Sequence, residues 1–416
     1  MHVLILNQTF HPDVASTGQL MWDLARHLRD AGHRVTVVTS RNFYGTNRRH
    51  DRAIDDYGGI VVHRVGGTAL GKRSTLARLL DFASFYAAAG VKLYREPAPD
   101  VTLALTSPPK VATLAMLQRW FRRTPADRPV RFVYHVMDLY PDAIVASGML
   151  SERSPLVRAV ARVTRKTVAT ADATIALGRD MRQRIIDRYT PPHPDRIHVV
   201  TPWADGDDLR PIDKVDNPLA NELGLADTFN VVYSGNLGVA HDVYTIAAAI
   251  DATRDSRQLR WVFIGGGKRF DELREVSVEK RWPHLRLLPF QDRDKLNLSL
   301  NLADVHLVSQ LPAFTGVVVP SKLFGILAVG KPTIMVGPGD AECSMILREA
   351  RAGLVVPNGD AAGVVQAVRT LHDDVKLRRE TGARARACFE ARYDRRVCCG
   401  QIERLLSDVV ATTSRA

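Results

Sequence analysis

The chain has 416 residues, 45% hydrophobic and 25% charged, which fits a globular enzyme of two or three domains. No apolar run approaches the roughly 18 residues of a membrane-spanning helix. Met1 to Leu6 lead straight into a strand without a basic start, apolar stretch and cleavage site, so no secretory leader is expected.

Net charge is +12 and unevenly placed: residues 1–200 hold 29 Lys and Arg against 17 Asp and Glu, and residues 201–416 hold 28 against 28. The first half is therefore expected to meet an anionic surface, unless the excess is only an arginine-biased composition. Cys343, Cys388, Cys398 and Cys399 have no Cys-x-x-Cys spacing. Neither a zinc site nor a disulfide framework is indicated, and a reducing cytosol fits.

In chain order, the apolar runs Val3–Asn7, Val35–Thr39, Val61–Val65, Val101–Thr106, Phe132–Val136 and Ala173–Leu177 read as strands of a first half. Asn230–Ser234, Trp261–Ile264, Leu285–Pro289, Val305–Val308, Thr333–Val336 and Gly353–Val356 read as those of a second. Helical patterns alternate with them, which predicts α/β architecture with parallel sheets. Thr201–Pro218, with Pro202, Asp205, Gly206, Asp207, Asp208, Pro211 and Pro218, has the composition of a hinge. The expected division is 1–200, hinge 201–218, 219–394, and a last helix within 395–416 that could pack back across the junction.

Ligands of open α/β sheets bind beyond the carboxyl ends of strands. After the first strand, Ser16 and Gln19 have a capping-box spacing, Thr17 is a candidate contact, and Gly18 lets backbone approach a ligand closely. In the second half Gly235, Asn236 and Gly238 follow one strand, Gly266 follows the next, and Phe290 follows the third; all five are expected to bind substrate. Pro320-Ser321-Lys322 opens a short helix to Val329 that Gly330 ends and Pro332 forbids from continuing. Amides of its first turn, Ser321 and the Lys322 ammonium form a candidate diphosphate site. A dehydrogenase fits poorly, because the first loop has one glycine where G-x-G-x-x-G needs three and Val35–Thr39 ends in Ser40-Arg41 rather than an acid. Neither a Walker A motif nor a nucleophile elbow is present.

The order of the N-terminal glycine loop, Asp138-Leu-Tyr-Pro-Asp142, Pro202-Trp-Ala-Asp205, Ser234-Gly-Asn-Leu-Gly238 and Pro320-Ser-Lys322 resembles family 4 retaining glycosyltransferases of the GT-B fold. More narrowly it resembles the bacterial branch that assembles exopolysaccharide, capsule or O-antigen units. The resemblance implies two Rossmann-like domains facing across a cleft, a basic first domain for the acceptor and a second for the nucleotide sugar. It implies hexosyl or N-acetylhexosaminyl transfer, with a UDP-sugar as donor and no metal or other cofactor. Lys322 and Asp138 take the catalytic roles. The family's E-x7-E pair falls on Val317 and Gly325, so both carboxylates are missing, and its His-Asp pair falls on Met137-Asp138.

The basic half then suits a polyprenyl-diphosphate-linked glycan acceptor and the anionic inner leaflet of a membrane. Lys72, Arg73, Arg119, Trp120, Arg122 and Arg123 form the expected patch, and Arg158, Arg162 and Arg165 recur at helical spacing. The implied location is cytoplasmic and peripheral to the inner membrane, with nucleic acid not expected as a partner. A catalytically silent relative that binds lipid or a partner, and a sugar-nucleotide epimerase, remain alternatives.

Overall fold

Both strand series pair into parallel sheets in the computed structural model, which describes residues 1–13, 15–43, 48–66 and 75–412, with side chains of the last stretch from residue 80 onward. The first sheet holds β1 (His2–Leu6), β2 (Arg34–Ser40), β3 (Ile54–Asp56), β4 (Ile60–Val65), β5 (Val101–Ala104), β6 (Arg131–His135), β7 (Ala173–Ala176) and β8 (Ile197–Val199). Its order is β3-β4-β2-β1-β5-β6-β7-β8, and only β3 runs antiparallel to its neighbour. The second holds β9 (Phe229–Asn236), β10 (Leu259–Gly266), β11 (Leu285–Leu288), β12 (Val305–Ser309), β13 (Thr333–Val336) and β14 (Gly353–Val356), in the order β11-β10-β9-β12-β13-β14. Each sheet thus reverses direction once, between β1 and β5 and between β9 and β12, and those reversals are where open sheets take ligands.

All twelve expected strands form. The short edge strands β3 and β8 were not expected, because Ile54-Asp55-Asp56 and Ile197-His198-Val199 are too short and polar to stand out. In the second sheet both faces are covered, which is why its strands read as continuous apolar runs. On β9, Val231 and Tyr233 join one buried cluster with Trp261, Phe263, Leu307 and Ile334, while Val232 points to the other face with Val262 and Leu302. Asp242 caps the helix Val243–Ala252, accepting from the Thr245 amide at 3.0 Å.

The chain divides into two compact units. One takes residues 1–145, 150–201 and 398 onward; the other takes 146–149 and 202–397. Residues 202–218 pack into the second unit rather than spanning open solvent. Trp203 and Leu209 are buried, the Arg210 amide donates to Asn297 Oδ1 at 3.0 Å, and Asp205 pairs with Arg395 at 3.0 Å. The helix Arg395–Ala411 then carries the chain from the second unit into the first.

Within the first unit that helix is fastened by Glu403, which accepts from His27 Nε2 at 2.8 Å and His33 Nε2 at 3.1 Å. Burial pulls the Glu403 carboxyl up, but the two imidazole hydrogen bonds outweigh it and leave the pKa below the usual range. A carboxylate depressed in the folded state stabilises above its unfolded pKa, about 4.3, and loses that contribution as pH falls through the folded value. Glu403→Gln is therefore expected to cost about 1 kcal/mol at pH 7. In urea unfolding, the gap between variant and parent should narrow as pH falls below the unfolded pKa and close once it passes the folded one.

Candidate functional site

At the carboxyl end of the second sheet, β9 and β10 stay paired to their last residues, Gly235 opposite Gly265 and Asn236 opposite Gly266. The glycine segments expected as loops are thus partly strand. Gly265 has φ +142°, and a Cβ there would sit 2.2 Å from the Gly235 carbonyl oxygen, so only glycine fits. Phe290, 62% exposed, lies against this pair: a Cβ on Gly266 would be 3.1 Å from its ring.

Lys322 opens the helix Lys322–Ala328 and reaches the same strand ends. Its Nζ donates to the Tyr233 hydroxyl and to the Asn236 carbonyl at 3.2 Å, and lies 3.6 Å from the Tyr233 ring centroid. The lysine arm runs alongside Gly235, whose Cβ position is 3.6 Å from Lys322 Cε. Burial pushes the ammonium well below the usual lysine range, with only Cys343 acting the other way. No carboxylate holds this cation among the described residues. The Tyr233 hydroxyl in turn donates to the Asn236 carbonyl at 3.0 Å.

The helix start differs from expectation. Ser321 is exposed and its side chain makes no capping bond, while the amides of Leu323 and Phe324 already bond Pro320 and Ser321 carbonyls. The side chain of Lys322 is thus this helix's main offering to an anion. Val317, at the first missing glutamate, is fully buried; Gly325, at the second, has Leu209 and Leu300 in contact range of its Cβ position. Gly330 ends the helix with φ +63°.

Sequence reasoning missed two members of this group. Tyr233 sits in the continuous buried run of β9 and so looks like plain core, although its hydroxyl meets Lys322 and the Asn236 carbonyl at the strand end. His241 packs edge-on to Tyr233, ring centroids 5.8 Å apart, with Nδ1 2.6 Å from the Ser309 carbonyl. A histidine just past a glycine loop was the available signal.

The first unit gathers fewer of the expected residues. A Cβ on Gly18 would lie 3.1 Å from the Phe10 nitrogen, so this glycine lets helix Ser16–Asp30 approach that backbone closely. The Ser16–Gln19 capping box does not form, because Ala15 is the cap residue and Ser16 is already helical. Thr17 is half-buried, its hydroxyl 3.0 Å from that of Thr9. Asp138 follows β6, its amide bonded to Thr106 Oγ1 at 3.2 Å, and burial raises its carboxyl pKa.

The basic patch is largely taken up internally. Arg119 forks onto Asp172 at 2.9 and 3.0 Å, and Arg122 donates to the carbonyls of Tyr94 and Glu96, so neither faces solvent as a free cation. Both partners are distant in sequence, which hid the pairing. Arg123 and Trp120 are exposed, Arg123 beside Asp127 at 3.6 Å and Trp120 under Lys166 at 4.8 Å. Lys72 and Arg73 lie outside the described residues.

Comparison with known proteins agrees with this geometry. A glycosyl transferase 4-like domain profile matches residues 17–203, and a glycosyl transferases group 1 profile matches residues 228–374. The chain belongs to glycosyltransferase family 4. This glycosyltransferase is 24% identical over 412 residues to a protein named as the colanic acid biosynthesis glycosyl transferase WcaI of Escherichia coli K12, covering 91% of this chain and 98% of that one. Its fold is GT-B. It superposes on sucrose-phosphate synthase of Thermosynechococcus elongatus with a TM-score of 0.79 at 15% identity, over 99% of this chain and 100% of the other. On Anabaena Alr3699/HepE, solved with UDP and glucose, the TM-score is 0.72 at 17% identity, over 97% and 99%.

Proposed function

We propose that this chain moves a hexosyl or N-acetylhexosaminyl group from a UDP-sugar to a lipid-linked glycan in cell-surface polysaccharide synthesis, with retention of anomeric configuration. The observation that carries this reading is the ammonium of Lys322, uncompensated by any carboxylate among the described residues, at the carboxyl ends of β9 and β10 beside the sheet's reversal point. A diphosphate supplies the missing negative charge. HepE, whose fold is shared, binds UDP and glucose, and WcaI is named for colanic acid synthesis.

In this reading the diphosphate lies against Lys322, Gly235 and Asn236, and the exposed Phe290 ring offers a flat apolar face to the base. The bond from the anomeric carbon to the diphosphate oxygen breaks while the acceptor oxygen bonds the same carbon on the same face. The departing oxygen takes the acceptor proton, so no separate protein base is required. The enzyme's task is to stabilise charge growing on the leaving group, and one well-aimed donor in a dry site is worth about 3 kcal/mol. Lys322 does this without a metal. Asp138 is assigned to orienting the acceptor hydroxyl or the donor sugar.

The acceptor's lipid carrier fits an exposed face of the first unit. Leu117, Trp120 and Phe121 are exposed at the end of helix Ala112–Phe121, and Arg158, Arg162 and Lys166 are exposed on helix Pro155–Thr170. Apolar anchors interleaved with cations suit an anionic bilayer surface. Among the described residues no helix is long and apolar enough to cross one.

Incubation with radiolabelled UDP-glucose, UDP-galactose and UDP-N-acetylglucosamine plus a polyprenyl-diphosphate sugar tests the reading. Elongated acceptor with a retained anomer, formed faster in anionic than in neutral vesicles, is expected. Isomerised donor without acceptor would point instead to an epimerase, and binding with no turnover to a silent relative.

A further inference from the structure

We propose that His241 is a proton-gated ligand of the donor diphosphate, its Nε2 taking a proton from solvent as the diphosphate arrives and then donating it in a hydrogen bond. This rests on the donor site described above and assigns it a second cation. Since a carbonyl can only accept, Nδ1 must carry the proton that bonds Ser309 O at 2.6 Å, which fixes the tautomer and leaves the lone pair on Nε2. Among the described residues Nε2 has no protein partner.

The groups around the ring come from four elements. Tyr233 of β9 presents its ring to the imidazole at 83°, and Lys322 lies over that same tyrosine ring. Ser309 of β12 holds Nδ1. Asp242, next in the chain, is engaged elsewhere: it accepts from Thr245 N and Oγ1 at 3.0 and 2.6 Å and from Asn358 Nδ2 at 2.8 Å. Cys343 acts on Lys322 and donates its thiol to the Pro320 carbonyl at 3.8 Å. Among the described residues no anion therefore supports a charged imidazole.

Burial first, then the nearby Lys322 charge, push the His241 pKa down to about 3, against a smaller opposing effect of the Ser309 bond. A diphosphate placed against Lys322 reverses the second cause and opposes the first, because its charge favours imidazolium at short range in a partly buried site. The pKa is thus higher in the complex than in the free protein. Proton uptake then accompanies binding, and affinity rises as pH falls between the two values. A histidine serves here where a permanent cation next to Lys322 would repel it in the empty site.

Two measurements decide this, both on the full chain with UDP as probe. In nitrogen-15 spectra of the imidazoles, His241 should keep the neutral Nδ1–H form down to about pH 5 without UDP and titrate between about pH 5 and 8 with saturating UDP. In calorimetry across buffers of different ionisation enthalpy, parent protein should take up more protons than His241→Gln, whose amide can still donate to Ser309. The parent's affinity should gain up to about tenfold per pH unit over the variant's as pH falls. Phosphate titration of UDP is common to both and cancels, and a purely structural role would shift affinity without changing its pH slope. His241 remaining neutral in the UDP complex overturns the inference while the transferase reading stands. Failure of UDP, GDP, ADP and dTDP all to bind would remove both.

Discussion

Lys322→Ala is expected to lower kcat/KM for sugar transfer by about 100- to 1000-fold, the loss that follows removal of one aimed donor from a site of developing negative charge. Most of the fall should lie in kcat, because the charge on the departing diphosphate is greatest in the transition state. The fold should not suffer. Burial holds the Lys322 pKa well below its ordinary value, so the folded chain pays to keep an ammonium there at neutral pH. Removing that group should leave the melting temperature unchanged or raised. Loss of activity with gain of stability marks a residue kept for chemistry. Steady-state kinetics and a thermal melt on the same preparation check both halves, and a destabilised variant with near-normal turnover would place Lys322 among structural residues.

Gly265→Ala should do the opposite, damaging fold and site together. The new Cβ would lie 2.2 Å from the Gly235 carbonyl oxygen and 2.9 Å from its carbon, at a backbone φ of +142°. Backbone on a paired strand cannot give way as a side chain can, so β9 and β10 must separate at their ends. A cost of about 3 kcal/mol or more is expected, read as a lower melting temperature. Nucleotide affinity should fall with it, since Gly235 and Asn236 move. Gly224→Ala is the matched control: φ is +64° but nothing lies within 4 Å of the new Cβ. It should cost only about 1 kcal/mol, the backbone penalty alone, and leave nucleotide binding intact.

The parallel sheets were legible because their strands are covered on both faces and so appear as apolar, β-branched runs such as Val231-Val232 and Thr333–Val336. Pro320-Ser321-Lys322 was legible because proline, glycine and a charge punctuate a short helix between two such runs. What stayed hidden depends on contacts between segments far apart in the chain. Arg119 and Arg131 look like surface cations until Asp172 is seen between them, at 2.9 and 2.7 Å. Tyr233 looks like core because it mostly is, and only the lysine 89 positions later gives its hydroxyl a second meaning. The close approach of Gly18 to the Phe10 backbone was hidden in the same way.

A crystal structure of the protein grown with UDP is the most direct test of Lys322 as the diphosphate's counter-charge. A β-phosphate oxygen within about 3 Å of Lys322 Nζ, with the ammonium drawn off the Tyr233 hydroxyl, is the expected result. A diphosphate ordered elsewhere, with Lys322 still bonded to Tyr233 and Asn236, would contradict it.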